Sequence, residues 1–265
     1  MDPVDLNQSL IDGERRFGAV ARLFGETALE RFARARVAVV GIGGVGTWTA
    51  EALARSGVAN LTLIDLDHVA PGNTNRQIHA LEGEFGRAKV LSMAARIEAI
   101  HPGANVAPVE DFVTPENAAR LLEGHDVIVD CADQVPAKAA MAALARDRRA
   151  AIVVCGAAGG RRDPSRVRRE DLARTHGDAL LAEVRRRLRR MHGFPAPGPR
   201  KLAARFGVEA VFSDEPMTGP GLCAGGEGEP GSPLACGGYG SVVTVTATMG
   251  MVAAACALER ILDLE

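Results

Sequence analysis

Gly41-Ile42-Gly43-Gly44-Val45-Gly46 spaces its glycines as G-x-G-x-x-G, between an apolar run at Arg36–Val40 and a helical pattern over 45–56. Glycines there allow a tight turn and let a phosphate approach backbone N–H groups at a helix N-terminus. Asp65 closes the next apolar run, 19 residues beyond Gly46, where a carboxylate can accept hydrogen bonds from ribose hydroxyls. The pattern points to a bound nucleotide, the alternative being glycines used only for close helix–strand packing. The loop alone leaves NAD and ATP both open. It is not a Walker A loop, because Thr47 stands where that motif requires lysine.

A second group of residues favours ATP. It comprises Asp65-Leu66-Asp67-His68-Val69, Gly72-Asn73-Thr74-Asn75-Arg76-Gln77, Lys89, and Asp130-Cys131-Ala132-Asp133-Gln134. Attack on an α-phosphate expels pyrophosphate, so cations are needed near the β- and γ-phosphates. Arg76 and Lys89 follow the second apolar run and supply them. Mg²⁺ bridging phosphates needs a hard oxygen ligand, and Asp133 sits just past the fourth run, at the edge where ligands collect in open parallel sheets. Hydride transfer needs none of these three charges. Singly, each has a bland reading: a surface arginine, a solvated helix lysine, a helix cap. His79 could serve as a general base or simply pack.

The elements that must position these residues alternate. Strands are expected at Arg36–Val40, 61–64, 106–109, 127–129 and 151–154. Helices are expected over 45–56, 87–100 and 136–146, and one starting at Thr114-Pro115-Glu116 with Thr114 as cap. Apolar strands bounded by helices predict a Rossmann-like α/β fold, a mainly parallel sheet covered on both faces. After Gly156 the alternation weakens. A basic helix over 178–191, a strand over 208–212, a Gly/Pro-rich mobile loop over 213–240 and a buried helix over 241–262 are expected. The reading is one domain over 1–265, with a nucleotide-binding core at 1–156 and an extension at 157–265.

The chain has 265 residues, 47% of them hydrophobic, enough for a substantial core, and a net charge of −2. That charge is unevenly spread: residues 161–205 hold 14 basic and 5 acidic residues, leaving 17 basic and 28 acidic elsewhere. Such a segment fits either a polyanionic partner or a solvated arginine-rich helix. The five cysteines, Cys131, Cys155, Cys223, Cys236 and Cys256, form no CxxC pair, so no zinc site is read and a reducing cytoplasm is expected. The N-terminus lacks the basic and apolar regions of a signal peptide. The apolar stretch 242–258 reads as a buried helix rather than a membrane span, so no membrane insertion is expected.

As a set, Gly41–Gly46, Asp65-Leu66-Asp67-His68-Val69, Asn73-Thr74-Asn75-Arg76-Gln77, Lys89 and Asp133 resemble the adenylation site of the ThiF/MoeB superfamily, relatives of ubiquitin-activating enzymes. The resemblance implies an ATP site on Gly41, Gly43, Gly44, Gly46, Asp65, Asp67, Gly72, Asn73, Asn75, Arg76, Lys89, Asp133 and Gln134. Gly44 would face the nucleotide and Asp65 the ribose. Asn73, Arg76 and Lys89 would hold phosphates, and Asp133 Mg²⁺, making Arg76, Lys89 and Asp133 the catalytic set. Arg16-Phe17, Ala21–Gly25, Ile78–Leu81, Asp111–Asn117 and Val243–Thr248 look like the branch of tRNA threonylcarbamoyladenosine dehydratases. That branch implies a homodimer and ATP-driven cyclising dehydration of a tRNA nucleoside beside the anticodon. It also brings in a cysteine-desulfurase or sulfur-acceptor system as a possible helper.

Arg161, Arg162, Arg168, Arg169, Arg186 and Arg190 are then the candidate tRNA contacts. Relatives carry a second N-terminal arginine that reaches the partner subunit's ATP. Here Ala19 occupies that place, and Arg16 and Arg22 are the cross-subunit candidates. The rival readings are activation of a ubiquitin-like sulfur carrier, for which Cys223 and Cys236 are thioester candidates, an NAD oxidoreductase, and a non-catalytic nucleotide-binding scaffold.

Overall fold

A computed structural model of the chain describes residues 15–197, 204–217 and 239–264. After helices α1 (15–24) and α2 (Glu26–Arg34) come β1 (Arg36–Val40), α3 (Gly46–Arg55), β2 (Asn60–Ile64), α4 (Lys89–Ile100) and β3 (Asn105–Val109). Then follow α5 (Ala118–Leu121), β4 (Val127–Asp130), α6 (Val135–Arg148), β5 (Ala151–Cys155), β6 (Val167–Asp171), α7 (Ala179–His192), β7 (Glu209–Ser213) and α8 (Val243–Leu262). The seven strands form one sheet in the order β3-β2-β1-β4-β5-β7-β6. All neighbours pair parallel except β6, which pairs antiparallel to β7. This is the Rossmann-like arrangement expected from the alternation.

The central strands read as unbroken apolar runs because both faces are covered. Val37 and Val39 of β1 face a core built with α2, α3, α4 and α8, while Ala38 and Val40 face a second core with α5, α6 and α7. α8 is the one helix among the described residues apolar and long enough to cross a membrane, yet 56% of its most apolar 18-residue window is buried inside the protein. It lies against α3 at backbone range: a methyl group on Gly250 would stand 2.6 Å from Val45 O and 2.7 Å from Trp48 Cβ. Small residues along α8 permit that approach.

One expectation is corrected. No helix starts at Thr114. Thr114 and Asn117 exchange hydrogen bonds (Asn117 Oδ1 accepts from Thr114 N at 2.7 Å, Thr114 Oγ1 from Asn117 N at 3.4 Å), which makes 115–117 a turn and delays α5 to Ala118. The segment Val167–Asp171, to which the sequence reading assigns no element, forms the edge strand β6. Residues 218–238, most of the expected loop, lie outside the described residues, together with Cys223 and Cys236.

Candidate active site

β1 and β4 are neighbours, but the chain leaves β1 toward β2 and β3 and leaves β4 toward β5. The carboxyl ends of such a pair open a crevice where ligands bind in doubly wound sheets. The Gly41–Gly46 loop follows β1 there, and Cys131–Gln134 follows β4. Gly41 has φ +85°, and a methyl on Gly46 would lie 1.8 Å from Gly41 O, so the turn closes only with glycine at both places. A methyl on Gly43, by contrast, would meet no atom within 4 Å. The loop is therefore open on its outer side. α3 begins at this point without a side-chain cap or an acidic residue in its first turn, leaving its positive end available to an anion.

Asp65 stitches the end of β2 to this loop. Its carboxylate accepts hydrogen bonds from Ile42 N at 2.6 Å and Asp67 N at 2.8 Å. Burial raises the Asp65 carboxyl above the usual range, and the charge of Lys89 offsets part of that rise. Lys89, 22 residues beyond Asp67, returns because Lys89 N donates to Asp67 O and His68 bridges Ala88. Its Nζ then pairs with Asp67 Oδ2 at 2.6 Å. Arg76 lies across the glycine loop: a methyl on Gly44 would stand 3.2 Å from its side-chain carbons. Its guanidinium donates to Gly72 O at 2.8 Å and Asn75 Oδ1 at 2.9 Å, and its carbonyl accepts from Trp48 Nε1 at 3.0 Å. Asn73 Oδ1 accepts from Ala70 N at 3.0 Å, shaping the turn, and Asn75 Nδ2 donates to Ser241 O at 2.8 Å, tying the turn to the start of α8. Asp133 and Gln134 are exposed and joined by a 3.1 Å hydrogen bond.

Comparison with known proteins matches this frame over nearly its whole length. The model of the ThiF family covers residues 18–264. The chain belongs to the ThiF family. The tRNA threonylcarbamoyladenosine dehydratase of Escherichia coli K12 is 44% identical over 256 residues, 94% of each chain. Crystal structures of the Escherichia coli dehydratase in complex with ATP and with AMP each superpose with a TM-score of 0.82. Their sequence identities are 43% and 42%, and each covers 94% of this chain and 95% of the other.

In this ThiF-family chain the structure adds a pair that composition had not singled out. Asp130, the last residue of β4, and Lys138, on α6, are both fully buried and lie 3.0 Å apart. Lys138 Nζ also donates to Ala132 O at 2.8 Å and Asp130 O at 3.3 Å, so one ammonium fastens the turn that presents Asp133. Its sequence signal was a lone lysine inside the alanine-rich run of α6. His79 lies behind Lys89, 2% exposed, with neither ring nitrogen hydrogen-bonded to a described residue. Burial first, then the charge of Lys89, lowers its imidazole to about 4. Cys131 and Cys155 stand 3.7 Å apart at the ends of β4 and β5, and their mutual hydrogen bond and burial push the Cys155 thiol far up, away from a nucleophile.

The arginines divide differently from expectation. Arg161 is buried rather than presented at the surface: it is 1% exposed, donating to Ser213 O and Gly177 O and lying 3.6 Å from Asp178. Arg168 is held by Asp214, Arg169 by Glu209 and Glu259, and Arg186 by Glu183. Arg162 and Arg190 are exposed and in no ion pair among the described residues. Arg16 donates to Ile100 O, at the far end of α4 from Lys89, and Arg22 is exposed on α1. α4 has 12 residues and so spans about 18 Å, which places Arg16 at the sheet edge opposite its own glycine loop.

Proposed function

We propose that this chain is an ATP-dependent tRNA threonylcarbamoyladenosine dehydratase. It would adenylate the threonylcarbamoyl carboxylate, release pyrophosphate, and let the activated acyl group close intramolecularly with loss of AMP. The net change in the nucleoside is the loss of one water. The observation that carries the reading is the meeting of two cations, Arg76 and Lys89, with an open glycine loop at a β1/β4 switch point. The names of the relatives support the substrate.

The residues divide the work. The outer face of Gly43 and the uncapped start of α3 take phosphate. Arg76, already lying over Gly44, needs only to exchange Gly72 O and Asn75 Oδ1 for phosphate oxygens. Lys89 must exchange Asp67 for the leaving phosphates, an exchange of one carboxylate partner for another anion that keeps its charge compensated. Asp65 has two lone pairs committed to the loop and offers the others to a ribose hydroxyl. Asp133, an exposed carboxylate beside the crevice, fits Mg²⁺, which would supply charge neutralisation at the phosphates. Ring closure asks little more, since a tethered nucleophile gains roughly 7–11 kcal/mol in ideal cases. The same reading takes the chain as one adenylating domain, cytoplasmic and homodimeric, without zinc, with Arg16 or Arg22 reaching the partner's site. A sulfur-acceptor system is a candidate helper.

The test incubates the purified protein with ATP, Mg²⁺ and tRNA carrying threonylcarbamoyladenosine, then weighs the digested nucleosides. A nucleoside one water lighter, with AMP formed in step, is expected. AMP formed only on addition of a ubiquitin-like carrier protein would move the function to carrier activation.

A further inference from the structure

The basic segment emerges from the fold at an unexpected place. α6 starts beside Asp133 and α7 starts beside Gly156, both at the carboxyl edge of the sheet. Each helix has 14 residues, so each runs about 21 Å to the opposite edge. There the two ends meet: Arg146 donates to His192 O at 2.9 Å and its guanidinium covers the Phe194 ring at 4.2 Å. At this edge Arg148, Arg149, Arg187, Arg190 and Arg205 take part in no ion pair among the described residues.

A cleft of about 630 Å³ opens at the same edge, beneath β5, β7 and β6, and Arg149 and Arg205 line it. Its own carboxylates are engaged. Asp171 accepts from the backbone N–H groups of Ala173, Phe206 and Gly207, and Glu170 from Asp171 N. Glu209 is held by Arg169 and Arg260, and Asp263 by Arg260. Four arginines and four carboxylates line the cleft, and of the arginines Arg149 and Arg205 are the two with no carboxylate partner among the described residues, so their guanidinium groups are the ones free to take a phosphate. Arg149 is also the one described non-glycine residue with positive φ, at +58°, ending α6 where glycine is the usual choice. A long cationic side chain kept in that conformation, lining a cleft in which it has no carboxylate partner, points to a functional position.

We propose that this edge binds the sugar-phosphate backbone of the substrate RNA, with a phosphate seated between Arg149 and Arg205 and further phosphates meeting Arg148, Arg187 and Arg190. Guanidinium groups pair with phosphate oxygens two at a time and carry no sequence information. A nucleoside reacting at the carboxyl edge, with its stem lying along α6 and α7, brings phosphates to this surface about 21 Å away. The proposal rests on the tRNA reading above and places the RNA contacts away from Arg161 and Arg168.

The test compares wild type with Arg149→Gly/Arg187→Gln/Arg205→Gln, measuring tRNA binding against salt, ATP affinity by calorimetry, and melting temperature. Glycine at 149 suits the backbone there, so the variant is expected to fold. The expected result is tRNA affinity lower by about tenfold or more and a log-log salt slope reduced by about 2 to 3. The KM for tRNA should rise while ATP affinity holds. A variant that binds tRNA like wild type, while wild type still converts it, overturns the surface and leaves the function standing. A wild-type protein that binds an acidic carrier protein and no tRNA overturns both.

Discussion

Replacing Lys138 by methionine should weaken the fold and the active site together, by an amount set by burial. Asp130 and Lys138 are each 0% exposed and 3.0 Å apart. Methionine fills most of the lysine volume and removes only the ammonium. The carboxylate of Asp130 then keeps one backbone partner, Ala132 N at 3.1 Å, in a site where burial already pushes its carboxyl up. Removing one partner of a buried pair costs about 3–5 kcal/mol. At about 2.1 cal/mol/K of unfolding entropy per residue over 265 residues, a loss of about 4 kcal/mol lowers Tm by about 7 °C.

The assay is calorimetry on three variants: Lys138→Met, Asp130→Asn, and the two combined. Asparagine keeps an acceptor for Ala132 N and carries no charge, so the double variant should regain most of the Tm lost by Lys138→Met, a coupling that only interacting groups show. The function should follow. Ala132 O loses its donor, the turn bearing Asp133 loosens, and the Mg²⁺ concentration needed for half-maximal AMP formation should rise. A Lys138→Met protein that melts with the wild type would refute the argument, as would a double variant no more stable than the single.

The glycine loop offers a paired test: Gly43→Ala should fold normally, its methyl meeting nothing within 4 Å, and lose ATP affinity, whereas Gly46→Ala, 1.8 Å from Gly41 O, should fail to fold. Gly43→Ala binding ATP like wild type would remove the loop from the nucleotide site. Arg76→Ala and Lys89→Ala should each slow AMP formation by about 10²–10³, with circular dichroism unchanged; a smaller loss would assign the leaving phosphates to other groups. His79 has a lowered folded pKa of about 4 against an ordinary 6.5, so it is neutral in the fold and its contribution is complete above pH 6.5 and lost as pH falls toward 4. That loss is on the order of 3 kcal/mol, and His79→Gln should flatten the stability profile across this window in urea titrations at stepped pH.

Much of this was legible from the chain alone. The strands β1, β2, β4 and β5 stand out because burial on both faces demands unbroken apolar runs, and the glycine loop stands out because its geometry excludes side chains. β6 did not, because an edge strand with Arg168 and Arg169 exposed shows no apolar run. The false start at Thr114 arose because a Thr-x-x-Asn turn and a helix cap use the same side-chain chemistry. The burial of Arg161 was hidden because composition counts a charge without saying whether a carboxylate from a distant segment meets it; Asp178 is 17 residues away and the acceptor Ser213 is 52. The same limit hid the Asp67–Lys89 pair, formed only when a 22-residue excursion closes.

The carboxyl edge concentrates the buried charge of this protein. Asp65, Lys89, Asp130, Lys138, Arg161 and Asp178 are all buried there. Each buried charge is costly to desolvate, and an apolar replacement of a matched pair is often neutral or stabilising, so stability alone does not account for six of them at one edge. Their partners supply the reason. Asp65 holds Ile42 N, Lys138 holds Ala132 O, Arg161 holds Ser213 O, and Asp178 holds Ala157 N and Leu181 N. These four charges fasten the backbone where the chain leaves the ends of strands, so the loops after β1, β4, β5 and β7 share one fixed frame. Adenylation needs dipoles and cations already oriented when phosphate charge shifts toward the leaving group, and a frame locked by buried charges provides that orientation at the cost of some stability. If that is the trade, apolar replacement of the Asp130–Lys138 pair as a unit should give a protein at least as stable as the Asn/Met variant but slower in AMP formation. A replacement that is both more stable and as fast would leave the buried charges without a catalytic purpose.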